Sequence, residues 1–310
     1  MKSRQLWGVV LVLILAAAVF TALWFLRGES SSRQVNLAES VKGEGGPSQG
    51  AVLRVAVAAM ISPKETEKSY FELLRLVGKR MGREVELVQR KTYAEINDLL
   101  ERREIDLALV CAGPYVTGHK KFGMELLTVP MVHGGTVYYS YFIVRRDGPI
   151  KEVQELRGRR FAFADPDSNT GYIVPRYALN RLGETPERFF SETFFTHSHD
   201  NSIKAVANGL ADGAAVDSLI FEYMNTVNPT DTGRTRIIYK SPPYGIPPVV
   251  VHPTLDPGLK QRLREVFLHL HEDPEAKPFL TNIQIDRFVL GDDAMYASVR
   301  EMEEVLKDQK

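Results

Sequence analysis

The sequence predicts an α/β fold of two lobes, preceded by a transmembrane helix. Near-continuous apolar runs such as Ile105 to Val110 and Gly213 to Val216 alternate with segments of helical periodicity, the pattern of parallel sheets covered by helices. Two extended stretches, 137–144 and 241–251, bracket a long intervening block, so the chain leaves one lobe, builds a second and returns. From Leu6 to Leu26 no charged residue interrupts an apolar run, with Lys2 and Arg4 before it and Arg27 after it. A helix of about 20 such residues spans a hydrocarbon core. The expected organisation is a membrane anchor or signal segment at 1–27, a flexible linker at 28–50, lobe 1 at 51–141 and 245–310, and lobe 2 at 142–244.

Each element follows in turn. A cleaved signal usually ends its apolar stretch at small residues, but Val19 to Leu26 continue the run beyond Ala16 to Ala18, which favours an uncleaved anchor. With its basic end retained in the cytoplasm, the body of the chain would lie on the periplasmic side of the inner membrane. The Gly- and Ser-rich stretch 28–50 has too few bulky apolar residues to bury a core and reads as a tether. Residues 52–60 form a strand, 65–81 a helix, 85–89 a strand and 93–102 a helix, and 105–110 is a buried strand broken by Gly113-Pro114. After the extended run 137–144 come a turn at 145–148, a short helix near 153–156 and a strand at 161–164. Helices follow at 203–210 and from 218 through 224, strands at 213–216 and 236–239, and amphipathic helices at 259–271 and 296–306.

Charge and cysteine content limit the partners. Lys plus Arg and Asp plus Glu both number 39, so no overall basic excess suggests nucleic acid, and an anion site must be a local arrangement of donors. The single cysteine, Cys111, allows no intramolecular disulfide and reads as a small core residue. No cofactor is implied. His197, His199 and Asp200 lie close in sequence, but His119 and His133 fall in unrelated segments, so no metal site is expected.

The segment 157–179, RGRRFAFADPDSNTGYIVPRYAL, is the most informative. It reads as a buried strand, a polar turn and a helix with Pro175 in its first turn, which places the helix start near Gly171 and Tyr172. Gly171 permits close backbone approach, and the hydroxyls of Ser168 and Thr170 lie beside the orphan amides of the first turn. Those donors and the positive end of the helix dipole suit phosphate, phosphonate, sulfonate or carboxylate. An ordinary helix cap at Ser168 or Thr170 explains the same residues equally well.

At this point the chain resembles the phosphate/phosphite/phosphonate-binding family of periplasmic proteins, the solute receptors of phosphonate-type ABC transporters. The resemblance rests on segments in consistent order: ISPKET at 61–66, DLALVCAGPYV at 106–116, YYSYFIVRRD at 138–147, the 157–179 segment, THSHDNSIKAVANGLADGAAVDS at 196–218, SPPYGIPPVVV at 241–251 and GDDAMYASVREM at 291–302. It implies a two-lobed class II periplasmic binding protein fold that closes on a small oxyanion between its lobes and delivers it to an ABC permease in the inner membrane. It also implies ligand contacts from Ser168, Asn169, Thr170, Gly171 and Tyr172, from His199 and Asp217, from Tyr115 and Ser62 on the first lobe, and from Tyr244 on the returning segment. Asn169 departs from the serine or threonine usual there. A ligand sensor signalling to a membrane kinase uses the same physics. A hydrolase built on Ser168, His199 and Asp217 is the remote rival, since no GxSxG elbow is present. Tyr138, Tyr139 and Tyr141 read as sheet packing rather than as a ligand platform.

Overall fold

The computed structural model describes residues 40–42 and 52–307, all within one packed unit. The apolar segment 6–26 and nearly all of the 28–50 linker lie outside the described residues. Among the described residues, no helix is long and apolar enough to cross a membrane.

In chain order the first strands are β1 (Ser40–Lys42), β2 (Leu53–Val57), β3 (Val85–Val88), β4 (Leu107–Leu109) and β5 (Glu125–Met131). Then come β6 (Val137–Tyr138), β7 (Ser140–Arg145), β8 (Arg160–Phe163), β9 (Glu192–Phe195) and β10 (Gly213–Asp217). The last are β11 (Thr235–Lys240), β12 (Tyr244–Gly245), β13 (Val249–Val251) and β14 (Arg287–Val289). They build a seven-stranded sheet in the order β1-β3-β2-β4-β13-β5-β14 and a five-stranded sheet in the order β11-β7-β10-β8-β9. Strands β3, β2 and β4 run parallel, as do β9, β8 and β10. Each lobe therefore has a parallel core that receives an antiparallel strand from the crossing chain: β7 against β10 on the way out, and β13 against β4 and β5 on the return.

The two extended stretches are each broken. Between the lobes, β6 pairs β12, with Tyr138 opposite Tyr244, before each chain enters its next sheet. Ser140 and Ser241 tie the crossings together, Ser140 N–H donating to Ser241 Oγ at 2.9 Å and Ser241 N–H to the Ser140 carbonyl at 3.0 Å. β4 and β10 are buried along their whole length, which matches their uninterrupted apolar sequence.

Several elements escape periodicity. Gly113-Pro114 does not end a strand in a loop; Pro114 sits in the first turn of the Ala112–Phe122 helix, where its missing N–H removes no helical bond. β9 and β14 do not stand out in the sequence because each is partly exposed and lies at a sheet edge, which weakens the apolar signal, and β5 is interrupted by Thr128 and Pro130. The Val174–Asn180 helix begins later than expected: Asn169–Ile173 forms a π-helical turn before it.

Candidate functional site

The turns that follow β2, β4, β8 and β10 converge between the lobes, at the carboxyl ends of parallel strands, where α/β sheets commonly hold ligands. Lobe 1 contributes Met60 to Ser62 after β2, Cys111 after β4, and Tyr93 at the start of the Tyr93–Glu101 helix. Lobe 2 contributes the Asp165–Ile173 turn, His199 at the first position of the His199–Ala207 helix, and Asp217 at the end of β10. The lobes are closed on each other here. His199 N–H donates to the Met60 carbonyl at 3.0 Å and Ser62 N–H to Asp200 Oδ1 at 2.8 Å. Tyr93 N–H donates to Asp165 Oδ2 at 3.2 Å, and the hydroxyls of Ser69 and Tyr223 meet at 2.5 Å.

At the centre, Ser168, Asn169, Thr170, His199 and Asp217 are completely buried, as is Tyr93. The Asp217 backbone N–H donates to His199 Nδ1 at 3.1 Å, so that nitrogen carries no proton and the neutral ring holds its hydrogen on Nε2. Nε2 lies 3.4 Å from Ser168 Oγ. Burial holds the ring neutral by lowering its pKa to about 3. Asp217 Oδ1 caps the Ser218–Val227 helix, accepting from Leu219 N–H at 2.7 Å and Ile220 N–H at 3.4 Å. Its Oδ2 has no protein partner, and burial raises the carboxyl pKa to about 7. Thr170 Oγ1, Asn169 Oδ1, Tyr93 Oη and Ser198 Oγ are likewise buried without a protein partner. Buried polar atoms are normally paired, so five unpartnered oxygens in this region mark a site for a hydrogen-bonding guest.

Three expectations need correction. The amides opening the helix at Tyr172 are not free. Gly171 N–H donates to Ser168 Oγ at 3.0 Å, and the N–H groups of Tyr172 and Ile173 share the Ser168 carbonyl at 3.0 and 2.9 Å. Ser168 is a helix cap, and the groups left over are side-chain oxygens rather than helix-terminal amides. The Tyr172 ring packs edge-on against Phe163 with centroids 5.0 Å apart, and Arg176 stacks over it. Gly171 serves closeness of a different kind: a Cβ there would stand 2.6 Å from Ala164 Cβ and 2.9 Å from His199 Cε1, so glycine lets the turn pack on the histidine.

Two other residues lie apart from this cluster. Tyr115 is buried, but its hydroxyl donates to Asp293 Oδ1 at 2.7 Å and its ring packs on Tyr296. Tyr244 directs its hydroxyl to Met302 Sδ at 3.6 Å. Ser62 borders the site through its backbone N–H. The reading of Tyr138 as plain packing misses its hydroxyl, which accepts from Asn169 Nδ2 at 3.1 Å and lies 3.4 Å from Cys111 Sγ. Tyr93 gives no distinct signal in the sequence: it opens a helix whose buried face also holds Ile96, Asn97, Leu99 and Leu100, so it reads as core.

Ser168, His199 and Asp217 do meet, but not as a hydrolytic triad. Asp217 approaches the ring with its peptide N–H while its carboxylate turns to the helix cap, so the imidazole lacks the carboxylate that would orient it as a base.

The model of the family described as the periplasmic substrate-binding protein of phosphonate ABC transporters matches residues 55–296. The chain belongs to this family. It is 22% identical over 259 residues to the phosphonates-binding periplasmic protein of Escherichia coli, covering 82% of this chain and 76% of that one. It is 25% identical over 253 residues to the phosphate-import protein PhnD of Mycolicibacterium smegmatis, covering 78% and 77%. Its fold is similar to that of PhnD1 from Prochlorococcus marinus, solved with methylphosphonate, at a TM-score of 0.76 and 20% identity over 83% of this chain and 98% of that one. The chain is thus a member of a family of extracytoplasmic solute receptors with the two-lobed α/β fold.

Proposed function

We propose that this family member captures a phosphorus oxyanion, a phosphonate, phosphite or phosphate, between its lobes and presents it to an ABC permease. No bond is made or broken in that role. The observation that carries the reading is the group of buried oxygens without protein partners: Thr170 Oγ1, Asn169 Oδ1, Tyr93 Oη, Ser198 Oγ and Asp217 Oδ2. The hydroxyls of Thr170, Tyr93 and Ser198 donate to the oxyanion, while the neutral His199 directs its Nε2–H at Ser168 Oγ and holds that turn in place. No Lys or Arg belongs to the group, so the ligand's charge is balanced by dipoles that are fixed before it arrives.

Asp217 selects for phosphorus. A fully ionised sulfate offers its carboxyl nothing to accept and meets electrostatic repulsion when that carboxyl is charged. A phosphorus oxyacid shares one proton with Asp217 Oδ2, and a group with a pKa of about 7 is suited to that exchange near neutrality. Closure supplies the rest: the interlobe bonds from His199 N–H and Ser62 N–H form only with the lobes together, so a ligand that bridges them stabilises the closed state.

Calorimetry of the full chain against phosphate, phosphite, methylphosphonate and sulfate tests the reading. Binding of at least one phosphorus oxyanion in preference to sulfate is expected. Silence towards all three phosphorus compounds, or a preference for sulfate, refutes it.

A further inference from the structure

The long helix of the first lobe, Pro63–Met81, starts at the interlobe surface without a cap of its own: Ser62 holds the cap position, and its side chain makes no capping bond. A helix start leaves backbone N–H groups and a partial positive charge unsatisfied. The facing lobe supplies the missing acceptor. Asp200, the second residue of the His199–Ala207 helix, is completely buried, and its Oδ1 accepts from Ser62 N–H at 2.8 Å. Its Oδ2 accepts at 2.9 Å from the ammonium of Lys204, one turn along the same helix and partly exposed. Burial opposes the charge, but Lys204 holds the carboxyl below its ordinary range, so Asp200 is ionised at neutrality. Further along the first-lobe helix, Ser69 also docks on the second lobe, its Oγ meeting Tyr223 Oη at 2.5 Å. The other charged approach between the lobes, His133 Nε2 to Glu222 Oε2 at 4.0 Å, is exposed on both sides, so water screens it.

We infer that Asp200 is a positioning residue for capture: it caps a first-lobe helix from the second lobe, and so sets how tightly any ligand is held without touching it. This rests on the reading above, in which a phosphorus oxyanion is held between the lobes. Each carboxylate oxygen already has a protein donor, and a carboxylate would repel an anionic ligand. When the lobes part, Lys204 stays with Asp200, because both lie on one helix, and water replaces Ser62 N–H. The bond to the helix start is therefore what closure adds, and it joins a charged acceptor to a donor at the positive end of a helix. The neighbouring His199 fixes the register: its N–H donates to the Met60 carbonyl at 3.0 Å, so consecutive residues of one lobe engage the Met60–Ser62 turn of the other in opposite senses. The contact is the same whichever oxyanion is present. It scales every affinity by one factor and leaves the ratios between ligands unchanged.

The test is calorimetry and stopped-flow dissociation of phosphate, phosphite and methylphosphonate with the full-length chain, Asp200→Ala, Ser62→Pro and the double variant. Ser62→Pro removes the donor from the opposite lobe at a backbone φ of −56°, which proline adopts without strain. Each single variant should weaken whichever of these ligands bind by one common factor of about tenfold, carried by faster dissociation. Both changes break the same bond, so the double variant should bind within about twofold of the weaker single one. Asp200→Asn, which keeps an acceptor without the charge, should lose less than Asp200→Ala and takes its place if the alanine variant does not fold. Unchanged affinity in the folded variants, a loss that differs by more than about threefold between ligands, or a double loss equal to the product of the single ones overturns the inference while the oxyanion reading stands. Failure of the unaltered protein to bind any of the three compounds removes that reading and this inference with it.

Discussion

Thr170→Val separates a ligand group from a structural one, because the structure assigns opposite signs to its effects. Thr170 is completely buried and its Oγ1 has no protein partner, while its carbonyl is held by Ser140 Oγ–H at 2.6 Å. Valine keeps the β-branched shape and the backbone bond and removes only the hydroxyl. A buried hydroxyl without a partner costs on the order of 1–3 kcal/mol, so the variant without ligand should be more stable, by about 1 kcal/mol. That corresponds to a melting temperature higher by roughly 2–4 °C in a chain of this size. Binding should move the other way. A hydrogen bond to a charged ligand contributes about 1.5–3 kcal/mol, so the dissociation constant for phosphate or methylphosphonate should rise roughly 10- to 150-fold. Thermal unfolding without ligand and calorimetry with it read the two effects separately. A lower melting temperature with unchanged affinity would show that Thr170 serves the fold alone and refute the reasoning.

The two tyrosines should behave differently. Tyr93→Phe removes an unpartnered hydroxyl and, like Thr170→Val, should weaken binding while raising the unfolding free energy by about 1 kcal/mol, whereas Tyr138→Phe takes the acceptor from Asn169 Nδ2 and should destabilise the protein by about 1–2 kcal/mol in urea titrations. The pH dependence of stability without ligand has two opposed contributions. Asp217, with its folded pKa raised to about 7, binds a proton that the unfolded chain lacks, so its contribution is full below about pH 4 and is lost as pH rises through 7. His199, lowered to about 3, contributes above about pH 6.5 and loses that contribution as pH falls through 3. Between about pH 4 and 6.5 each slope is about 1.4 kcal/mol per pH unit and they cancel. Asp217→Asn should therefore make stability rise with pH across that window and His199→Asn should make it fall; denaturant midpoints that stay flat in both variants would contradict these assignments.

The crossings show how far the sequence reaches. A β-rich run at 137–144 and a proline-studded one at 241–251 place the passage between lobes, because extended backbone is encoded locally by β-branched, aromatic and proline residues. The break of each run into two strands is not local: it depends on Tyr138 finding Tyr244 and on Ser140 finding Ser241 across the hinge. The same division appears in the 157–179 segment. Its strand and turn chemistry are local, but the destination of each N–H depends on how tightly the turn can wind, and Ser168 takes three of them.

By itself the sequence determined the alternation of strands and helices, the two extended runs at 137–144 and 241–251, and the strand and hydroxyl-bearing turn of the 157–179 segment, because each depends on periodicity or on residue types in short order along the chain; it was the family resemblance that grouped His199 and Asp217 in one cluster with Ser168, Asn169 and Thr170. Only the tertiary structure decided which atoms of that cluster stay free. It removed the helix amides, set Tyr115 and Tyr244 aside, added Tyr93 and Tyr138, and turned Asp217 so that its amide serves His199, one carboxylate oxygen caps a helix and the other remains unpartnered. The physical reason is that a polar atom's availability is what remains after every neighbour within hydrogen-bonding distance has been counted, and most of those neighbours come from distant parts of the chain.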